Sequence, residues 1–319
     1  MNETTRPVLL LGATGTIGRA VLRELQMQGK AVICLLRKGS TPPQNAPHIC
    51  VDFSDPAAIA DALRASGAGA VLSCMASRSG RPQDAWAVDH AAHSHVLRAA
   101  IATGVTEFIL LSAICVQKPD LEFQRAKLAF EAELQAAPLI WSIVRPTAFF
   151  KSLSGQVARV QAGKPFLLFG DGTLTACTPI SDRDLARYLV GCLDNDQRQC
   201  RILPIGGPGP ALTPRAQGEM LFALLDKPPR FRHVPVGLMD AIIALLGTLG
   251  RFSHSLAEKA EFARIGRYYA TESMLVWDGQ AGRYDASATP AFGTDTLRDH
   301  YAALIQGTAT ADLGEHAMF

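Results

Sequence analysis

The feature that most constrains this chain is an apolar run near its N-terminus that breaks into regularly spaced glycines. Residues 8–11 read Val-Leu-Leu-Leu, then Gly12, Gly15 and Gly18 follow, and a helical apolar pattern continues from Ala20. A strand, a tight turn and a helix in this order present the N–H groups and positive dipole of a helix N-terminus to a diphosphate. Because the strand and helix supply the context that glycine spacing alone lacks, the loop predicts dinucleotide binding.

The second buried run, at residues 31–36, ends in two basic residues, Arg37 and Lys38. In this fold the end of the second strand lies beside the adenosine ribose of the cofactor. An arginine there pairs with a 2′-phosphate, whereas an acidic residue would bind the 2′-hydroxyl, so the sequence predicts NADPH. The alternative is that both residues are solvated loop charges.

Buried strands and helices alternate along the first half of the chain. Further strands are expected at residues 49–52, 70–74, 108–112 and 139–144. A long helix is expected at residues 84–103. The alternation predicts an α/β fold, a Rossmann-type doubly wound parallel sheet with a smaller C-terminal α+β substrate domain. We assign residues 1–150 to the NADPH-binding domain and residues 151–319 to the substrate-binding region, some of whose elements return to the sheet.

The composition restricts the classes of partner. The 319 residues are 48% hydrophobic and 19% charged, with a net charge of +2 and no run of like charge, which predicts no nucleic-acid partner. The seven cysteines are scattered without a C-x-x-C pair, which favours buried thiols over disulfides, a metal site or an iron–sulfur cluster. The longest apolar stretch, residues 236–249, is too short to span a bilayer, so a buried or interfacial helix is expected.

The chemical groups of the site resemble those of short-chain dehydrogenases, with one exchange. That superfamily carries Tyr-x-x-x-Lys on the helix after the fifth strand, and the corresponding stretch here runs from Phe123 to Lys127. Residues i and i+4 share a helix face, so Lys127 is expected to reach the nicotinamide ribose with Phe123 beside the site. Ser112 stands near the position of the superfamily's serine. The alternatives are an ordinary helix lysine and a strand-end hydroxyl bonded to backbone.

The missing tyrosine limits the reaction. Reduction of a carbonyl generates an alkoxide, which needs a proton donor or an oxyanion stabiliser at the moment of hydride transfer. Addition of hydride to an alkene conjugated with a large π-system spreads the negative charge and lets protonation follow. Phe123 therefore favours reduction of an activated C=C bond, or a protein that binds NADP(H) without turning it over.

Several stretches resemble one family over nearly the whole chain. They are residues 12–18 (GATGTIG), 122–134 (EFQRAKLAFEAEL), 143–152 (IVRPTAFFKS), 163–181 (GKPFLLFGDGTLTACTPIS), 203–222 (LPIGGPGPALTPRAQGEMLF) and 265–275 (IGRYYATESML). The chain is similar to the NADPH-dependent divinyl chlorophyllide or protochlorophyllide 8-vinyl reductases of phototrophs, which are atypical short-chain dehydrogenases. His90, after Asp89, stands where many members are expected to have tyrosine, which leaves its role open.

The resemblance implies reduction of the C8 vinyl group of a flat magnesium tetrapyrrole, which needs a wide apolar slot and cations for its propionate. The aromatic residues expected to line the slot are Phe123, Phe149, Phe150, Phe166, Phe169, Tyr268 and Tyr269. The cations expected to meet the carboxylate are Lys151, Arg267 or Arg78. We expect the segment at residues 147–151 to lie at the nicotinamide end, and residues 236–249 are a candidate for core, for a cover of the slot or for peripheral membrane contact.

The remaining site predictions concern the cofactor and the catalytic groups. The residues expected to bind NADPH are Gly12, Thr14, Gly15, Thr16, Ile17, Gly18, Arg37, Lys38, Asp52, Phe53, Cys74, Ala76, Lys127 and Pro146. Lys127 and Ser112 are the expected catalytic groups, and no metal is expected.

Two other functions remain open from the residues. An NmrA-like regulator would sense NADP(H) without turnover, although retention of Lys127 argues against it, and an isoflavone-reductase-like enzyme would have a narrower pocket. Residues 1–7 show no targeting pattern. The resemblance is thus to a bacterial member, expected in the cytoplasm with peripheral contact to the photosynthetic membrane.

Overall fold

A sheet of seven parallel strands forms the centre of the protein. We describe it from a computed structural model, which covers residues 6–78, 81–250 and 253–309. The strands in chain order are β1 (Val8–Leu11), β2 (Val32–Arg37), β3 (His48–Val51), β4 (Ala70–Ser73), β5 (Glu107–Leu111), β6 (Ile140–Pro146), β7 (Phe166–Phe169), β8 (Arg201–Ile205), β9 (Phe231–Val234), β10 (Val276–Asp278) and β11 (Arg283–Asp285). The central sheet has the order β3-β2-β1-β4-β5-β6-β8, while β7 pairs with β9 and β10 pairs with β11.

Helices cover both faces of this sheet. In chain order they are α1 (Thr16–Met27), α2 (Pro56–Ser66), α3 (Pro82–Ala85), α4 (His93–Ala102), α5 (Glu122–Gln135), α6 (Phe150–Leu153), α7 (Val157–Gln161), α8 (Asp182–Val190), α9 (Pro214–Leu224), α10 (Val236–Leu249), α11 (His254–Thr271) and α12 (Leu297–Ile305). A π-helical segment, Trp86–Ala92, joins α3 to α4, and a 3₁₀ turn, Ile114–Gln117, follows β5.

Successive side chains of the central strands point to opposite faces, which builds two apolar layers. Leu10 and Leu72 pack with residues of α1 and α8 on one face. Leu9 and Val71 pack with residues of α2, α4 and α5 on the other face. Because both faces are covered, the central strands are mostly apolar, and the predicted Rossmann-type α/β fold is confirmed.

The helix expected at residues 84–103 differs from the prediction. Helical structure begins at Pro82, and its middle, Trp86–Ala92, has π-helical hydrogen bonding before α4 begins. A π-helical turn inserts one extra residue per turn and rotates the side chains that follow, and such turns are frequent at functional sites. This segment carries Asp89, which is fully buried.

The C-terminal half divides between the sheet and the space beyond its carboxyl ends. The strand β8 extends the central sheet beside β6, and α8 packs against the same face as α1. A third apolar cluster, which includes Phe150, Leu221 and Tyr301, joins α6, α7, β7, α9 and α12. Within the described residues, no helix combines the length and hydropathy needed to cross a bilayer.

Candidate active site

The glycine loop between β1 and α1 forms one end of the candidate site. Gly12 has a φ of +75°, and a Cβ there would lie 2.5 Å from the carbonyl group of Cys74. A Cβ on Gly18 would lie 2.0 Å from the carbonyl oxygen of Gly12. These two glycines are therefore required by the tight turn and by the close packing of α1 on the strand ends.

Gly15 differs, because its own backbone and surroundings would accept a side chain. Its φ of −77° is ordinary for any residue, and an added Cβ would meet a single neighbour within 4 Å, the Gly12 carbonyl oxygen at 3.4 Å. Packing within the protein therefore does not require glycine at this position. The open space at Gly15 is what a diphosphate needs to approach the backbone, so the loop fits the expected cofactor.

The first turn of α1 continues this surface. Thr16 is the first residue of the helix, and Ile17 and Gly18 are buried behind it. Within this described turn there is no acidic residue and no side-chain cap for the helix N–H groups. Free N–H groups and the positive end of the helix dipole favour an anion at this position.

The predicted adenosine end lies at the tips of β2 and β3. Arg37 is the last residue of β2, and both Arg37 and Lys38 are exposed. Asp52 follows β3, and its carboxylate accepts hydrogen bonds from the Ser54 hydroxyl at 2.6 Å and the Ser54 amide at 2.9 Å. These bonds hold the pKa of Asp52 below its usual range. Asp52 is exposed as well, so this end presents one acidic and two basic side chains, and the acidic one is already hydrogen-bonded to Ser54.

Lys127 on α5 is part of a buried ion pair. Its Nζ donates to Asp89 Oδ1 at 2.9 Å, and the two side chains are 13% and 0% exposed. Asp89 also accepts from the Ser77 hydroxyl at 2.5 Å, just after the end of β4. An ordinary helix lysine would extend into solvent, so the structure excludes that alternative and fixes the ammonium at the carboxyl edge of the sheet.

A histidine lies beside this ion pair. His93 Nδ1 donates to the Val88 carbonyl at 2.8 Å, and its Nε2 accepts from the Ser73 hydroxyl at 2.8 Å. Burial lowers the pKa of His93 to about 4, so the ring is neutral at physiological pH. A cavity of about 10 Å³, the size of one water molecule, is lined by Asp89, His93, Leu110, Leu111, Ser112, Lys127 and Phe130.

Ser112 lines the same cavity but has a partner within the protein. Its hydroxyl donates to Glu131 Oε1 at 2.5 Å, and that carboxylate forms a buried ion pair with Arg145. The structure thus brings Ser112 and Lys127 together, as expected. The Ser112 hydroxyl is bonded to a carboxylate and not to backbone, and it is directed into the α5–β6 network.

Three of the expected slot residues share one apolar cluster, in which Phe123, Tyr268 and Tyr269 pack around Cys115. The Tyr268 hydroxyl donates to the carbonyls of Cys115 and Lys118 at 2.9 and 3.0 Å. The Tyr269 hydroxyl lies 3.9 Å from Cys115 Sγ. Burial raises the pKa of both tyrosines, so both keep their protons over the physiological range.

The other four aromatic residues expected at the slot differ in burial. Phe149 is half-buried beside the sheet, and Phe169 is a half-buried residue of β7. Phe150 and Phe166, in contrast, are 5% and 4% exposed and belong to the third apolar cluster, in which the Phe150 ring contacts His300. Both side chains face the core that supports α6 and β7, and their contact with a substrate stays a prediction.

The three basic residues expected to bind the propionate lie in different parts of the fold. Lys151 Nζ donates to Thr16 Oγ1 at 2.9 Å, at the glycine loop. Arg267 forms an ion pair with Asp240 and lines a cavity of about 260 Å³ between α10, α11 and the start of α5. This cavity is smaller than the roughly 300 to 1,000 Å³ of ordinary ligand sites. Arg78 is exposed, and its amide donates to Asp84.

The sequence analysis missed the acidic partners of the site. Asp89 and His93 are both buried. They are four residues apart within the apolar helix pattern, so the sequence does indicate that both side chains face the protein interior. Glu131 and Arg145 lie on different elements, and nothing in their spacing indicates that they meet. Lys118 donates to Glu272 at 2.6 Å and lies over the Trp277 ring, which connects the 3₁₀ turn to the end of α11. The sequence spacing does not indicate this contact either.

Comparison with known proteins assigns this site to a family. A family model described as NAD(P)H-binding matches residues 12–196. The divinyl chlorophyllide a 8-vinyl-reductase of Zea mays is 47% identical over 337 residues, with 100% of this chain and 84% of the relative covered. The reductase of the same name from Oryza sativa subsp. indica is 48% identical, with 100% and 83% covered. The chain belongs to the divinyl chlorophyllide a 8-vinyl-reductase family.

Membership of this family confirms the resemblance, the nicotinamide cofactor and the assignment as an oxidoreductase. Among solved structures, the NADPH-dependent quinone oxidoreductase of Escherichia coli, complexed with NADPH, is 18% identical with a TM-score of 0.67. The similarity covers 93% of this chain and 99% of that chain, and it shows the shared fold.

The comparisons correct one expectation. Both plant reductases of the family are described as chloroplastic, which overturns the assignment to a bacterial cytoplasm. That assignment took the pattern of residues 1–7 as decisive, and those residues include 1–5, which lie outside the described residues.

Proposed function

We propose that this protein uses NADPH to reduce the C8 vinyl group of a divinyl chlorophyllide or protochlorophyllide to an ethyl group. The product would serve the synthesis of chlorophyll or bacteriochlorophyll. The observation that carries the proposal is the similarity over the full chain to reductases of this name. The site supports it, because Phe123 offers no proton while Lys127 forms an ion pair with Asp89 at the carboxyl edge of the sheet.

In this proposal the chain contributes binding and orientation. The glycine loop and the N-terminus of α1 bind the diphosphate, Arg37 and Lys38 bind the 2′-phosphate, and Lys127 binds the nicotinamide ribose. NADPH, when bound, supplies the hydride. Lys127 is held by the buried Asp89 carboxylate, which fixes its direction.

The substrate half of the proposal rests on the apolar cluster around Cys115. Phe123 and Tyr269 are half-buried there, and they offer aromatic faces to a flat pigment. No alkoxide forms when the vinyl group is reduced, because the charge spreads over the macrocycle. An apolar wall beside Lys127 therefore suits this reaction better than reduction of an isolated carbonyl. The division at residue 150 between cofactor and substrate regions belongs to the same proposal.

The test is turnover of a defined pigment. Purified protein is incubated with divinyl chlorophyllide a and NADPH, and the pigment is identified by chromatography and mass. The expected product is the monovinyl pigment, heavier by two hydrogens, formed without ferredoxin. Failure to form it, or a requirement for reduced ferredoxin, would contradict the proposal.

Gly15→Ala provides a control drawn from the structure. Its Cβ fits within the protein, so the fold and the thermal stability should be unchanged. The same methyl group occupies the approach of the diphosphate, so NADPH binding and turnover should both fall. Equal NADPH affinity in the variant and the wild type would exclude the glycine loop as the binding site.

We also propose that α10 makes peripheral contact with a membrane. Leu238, Ile242, Leu245 and Leu249 form a single stripe at helical spacing and are 52%, 43%, 60% and 45% exposed. Asp240, the charged residue of α10, is neutralised by an ion pair with Arg267. An uncharged apolar stripe of this kind favours a position in the headgroup boundary of a bilayer.

Sedimentation with lipid vesicles tests this contact. A variant with both Leu238→Gln and Leu245→Gln should lose vesicle binding and keep NADPH binding. Met27→Gln is the matched control, because Met27 is an exposed apolar residue of α1 at 73% exposure. Equal sedimentation of the double variant and the wild type would exclude α10, and dimer formation without lipid would indicate a second copy as the partner.

A further inference from the structure

Two adjacent tyrosines of α11 use their hydroxyl groups differently. The Tyr268 hydroxyl donates to the carbonyls of Cys115 and Lys118 at 2.9 and 3.0 Å, so it binds the 3₁₀ turn after β5 and the residue that follows it. The Tyr269 hydroxyl instead lies 3.9 Å from Cys115 Sγ, and a thiol is a weak hydrogen-bond partner. Tyr269 therefore carries a hydroxyl that contributes little to the fold.

The Tyr269 hydroxyl lies in the part of the protein where α5 lacks one. Tyr269 packs in the same apolar cluster as Phe123, which stands at the position of the superfamily's tyrosine. Lys127 follows Phe123 one helical turn later on α5. Burial raises the pKa of the Cys115 thiol, and the charge of Lys127 opposes that shift. The ammonium group of α5 and the phenol of α11 thus both act on one sulfur atom.

The proposed reaction needs a proton as well as a hydride. Phe123 carries no exchangeable hydrogen, and the Ser112 hydroxyl donates to Glu131 at 2.5 Å. Burial raises the pKa of Tyr269 well above its usual value, so the phenol keeps its proton at physiological pH. A protonated side chain beside a group that develops negative charge is what general acid catalysis requires.

We propose that Tyr269 donates the proton to the pigment, and that α11 thereby supplies the hydroxyl that α5 lacks. The proposal rests on the proposed function for the substrate and the reaction. The outer carbon of the vinyl group receives the hydride that bound NADPH supplies, and the electron pair of the C=C bond moves to the inner carbon and into the macrocycle. The inner carbon takes the proton as the O–H bond of Tyr269 breaks. The charge of Lys127 stabilises the phenolate, and solvent returns a proton to it after the product leaves.

The experiment compares Tyr269→Phe with the wild type, with divinyl chlorophyllide a and NADPH as substrates and the monovinyl pigment as the measured product. The substitution removes only the hydroxyl, so kcat should fall by about 10²-fold to 10⁴-fold, while the KM for the pigment and the Kd for NADPH stay within about threefold. Tyr188→Phe is the matched control and should keep the kcat of the wild type. Tyr188 is a buried tyrosine of α8, which packs on the opposite face of the sheet from α5.

The outcomes separate a proton donor from a structural group. Unchanged kcat in Tyr269→Phe would overturn the proposal, because another group would then supply the proton. A fall in kcat with a matching loss of NADPH affinity or of the free energy of unfolding would overturn it as well, because the hydroxyl would then support the structure of the site. If the wild type itself forms no monovinyl pigment, the proposed function fails and this proposal fails with it.

Discussion

Phe123 stands where short-chain dehydrogenases carry a tyrosine, and this exchange leaves Lys127 as the polar residue of the pair. In the tyrosine–lysine pair that the sequence resembles, both side chains carry polar groups at the nicotinamide. Here Phe123 contributes only its shape, and Lys127 donates at 2.9 Å to a carboxylate that is fully buried. The direction of the Lys127 ammonium is thus set by Asp89.

Substitution of Lys127 tests this arrangement at the residue scale. Lys127→Ala should lower kcat about a hundredfold or more, because an oriented charge beside the cofactor is lost. It should also lower the free energy of unfolding by about 3 to 5 kcal/mol, because Asp89 is left buried without its cation. Asp89→Asn breaks the same ion pair and keeps the ammonium, so its kcat should fall less. Wild-type kcat in Lys127→Ala would show that the lysine is not catalytic.

Arg37 should decide the choice of nucleotide. Arg37→Ala is expected to weaken NADPH binding by about tenfold to a hundredfold, because a charge-assisted contact with the 2′-phosphate is lost. NADH lacks that phosphate, so its affinity should not change. Arg23→Ala, at an exposed position of α1, is the control for a general loss of positive charge. An equal loss for both nucleotides would remove Arg37 from the 2′-phosphate site.

The two adjacent tyrosines of α11 should differ in stability. Tyr268→Phe should lower the free energy of unfolding by about 0.5 to 1.5 kcal/mol, because its hydroxyl donates to the carbonyls of Cys115 and Lys118, each of which keeps another donor. Tyr269→Phe should change it little, since its hydroxyl has a weak partner, Cys115 Sγ at 3.9 Å. Urea unfolding of both variants measures the difference, and equal losses would contradict the hydrogen bonding described here.

At the scale of elements, the central strands and α1 could be predicted because their signals are local. Apolar runs of four to six residues and the glycine spacing occur within single elements. The π-helical segment Trp86–Ala92 could not be predicted, because a change in hydrogen-bond register leaves the apolar pattern intact. The membership of β8 in the central sheet could not be predicted either. Its first two residues, Arg201 and Ile202, are exposed, so the strand lacks the apolar run of a buried strand.

The start of β5 predicts a dependence of stability on pH. Glu107 is buried, and among the described residues its Oε1 has no hydrogen-bond partner. Burial raises the pKa of Glu107 from 4.5 to about 7. The folded chain then holds this proton more tightly than the unfolded chain, so the contribution of Glu107 to stability falls as the pH rises from about 4.5 to about 7.

Comparison of Glu107→Gln with the wild type isolates this effect. His93, whose pKa is lowered to about 4, acts in the opposite direction over a similar range, but it is common to both proteins and cancels in the difference. The variant should gain stability relative to the wild type as the pH rises to about 7, and the gain should then level off. A difference that is independent of pH would show that Glu107 titrates normally.

At the scale of the whole molecule, the two halves of the site differ in how far the sequence could predict them. The cofactor half is carried by short local stretches, such as the loop around Gly15. The substrate half is assembled from distant segments, since Tyr268 meets Cys115 across 153 positions of sequence. The sequence does not distinguish Phe150 from Tyr269 as candidate slot residues. The fold places Phe150 in the third apolar cluster and places Tyr269 in the same cluster as Phe123.

The central claim is that the vinyl group receives its hydride directly from the nicotinamide and its proton from another source. The most direct measurement uses NADPH carrying two deuterium atoms at C4 of the nicotinamide and follows the mass of the pigment product. We predict that the ethyl product carries one deuterium from the nucleotide, and that a reaction of unlabelled NADPH in D₂O places one deuterium from solvent in the same group. A protein that binds NADPH and leaves the vinyl group unreduced, or a product without nucleotide deuterium, would contradict the account.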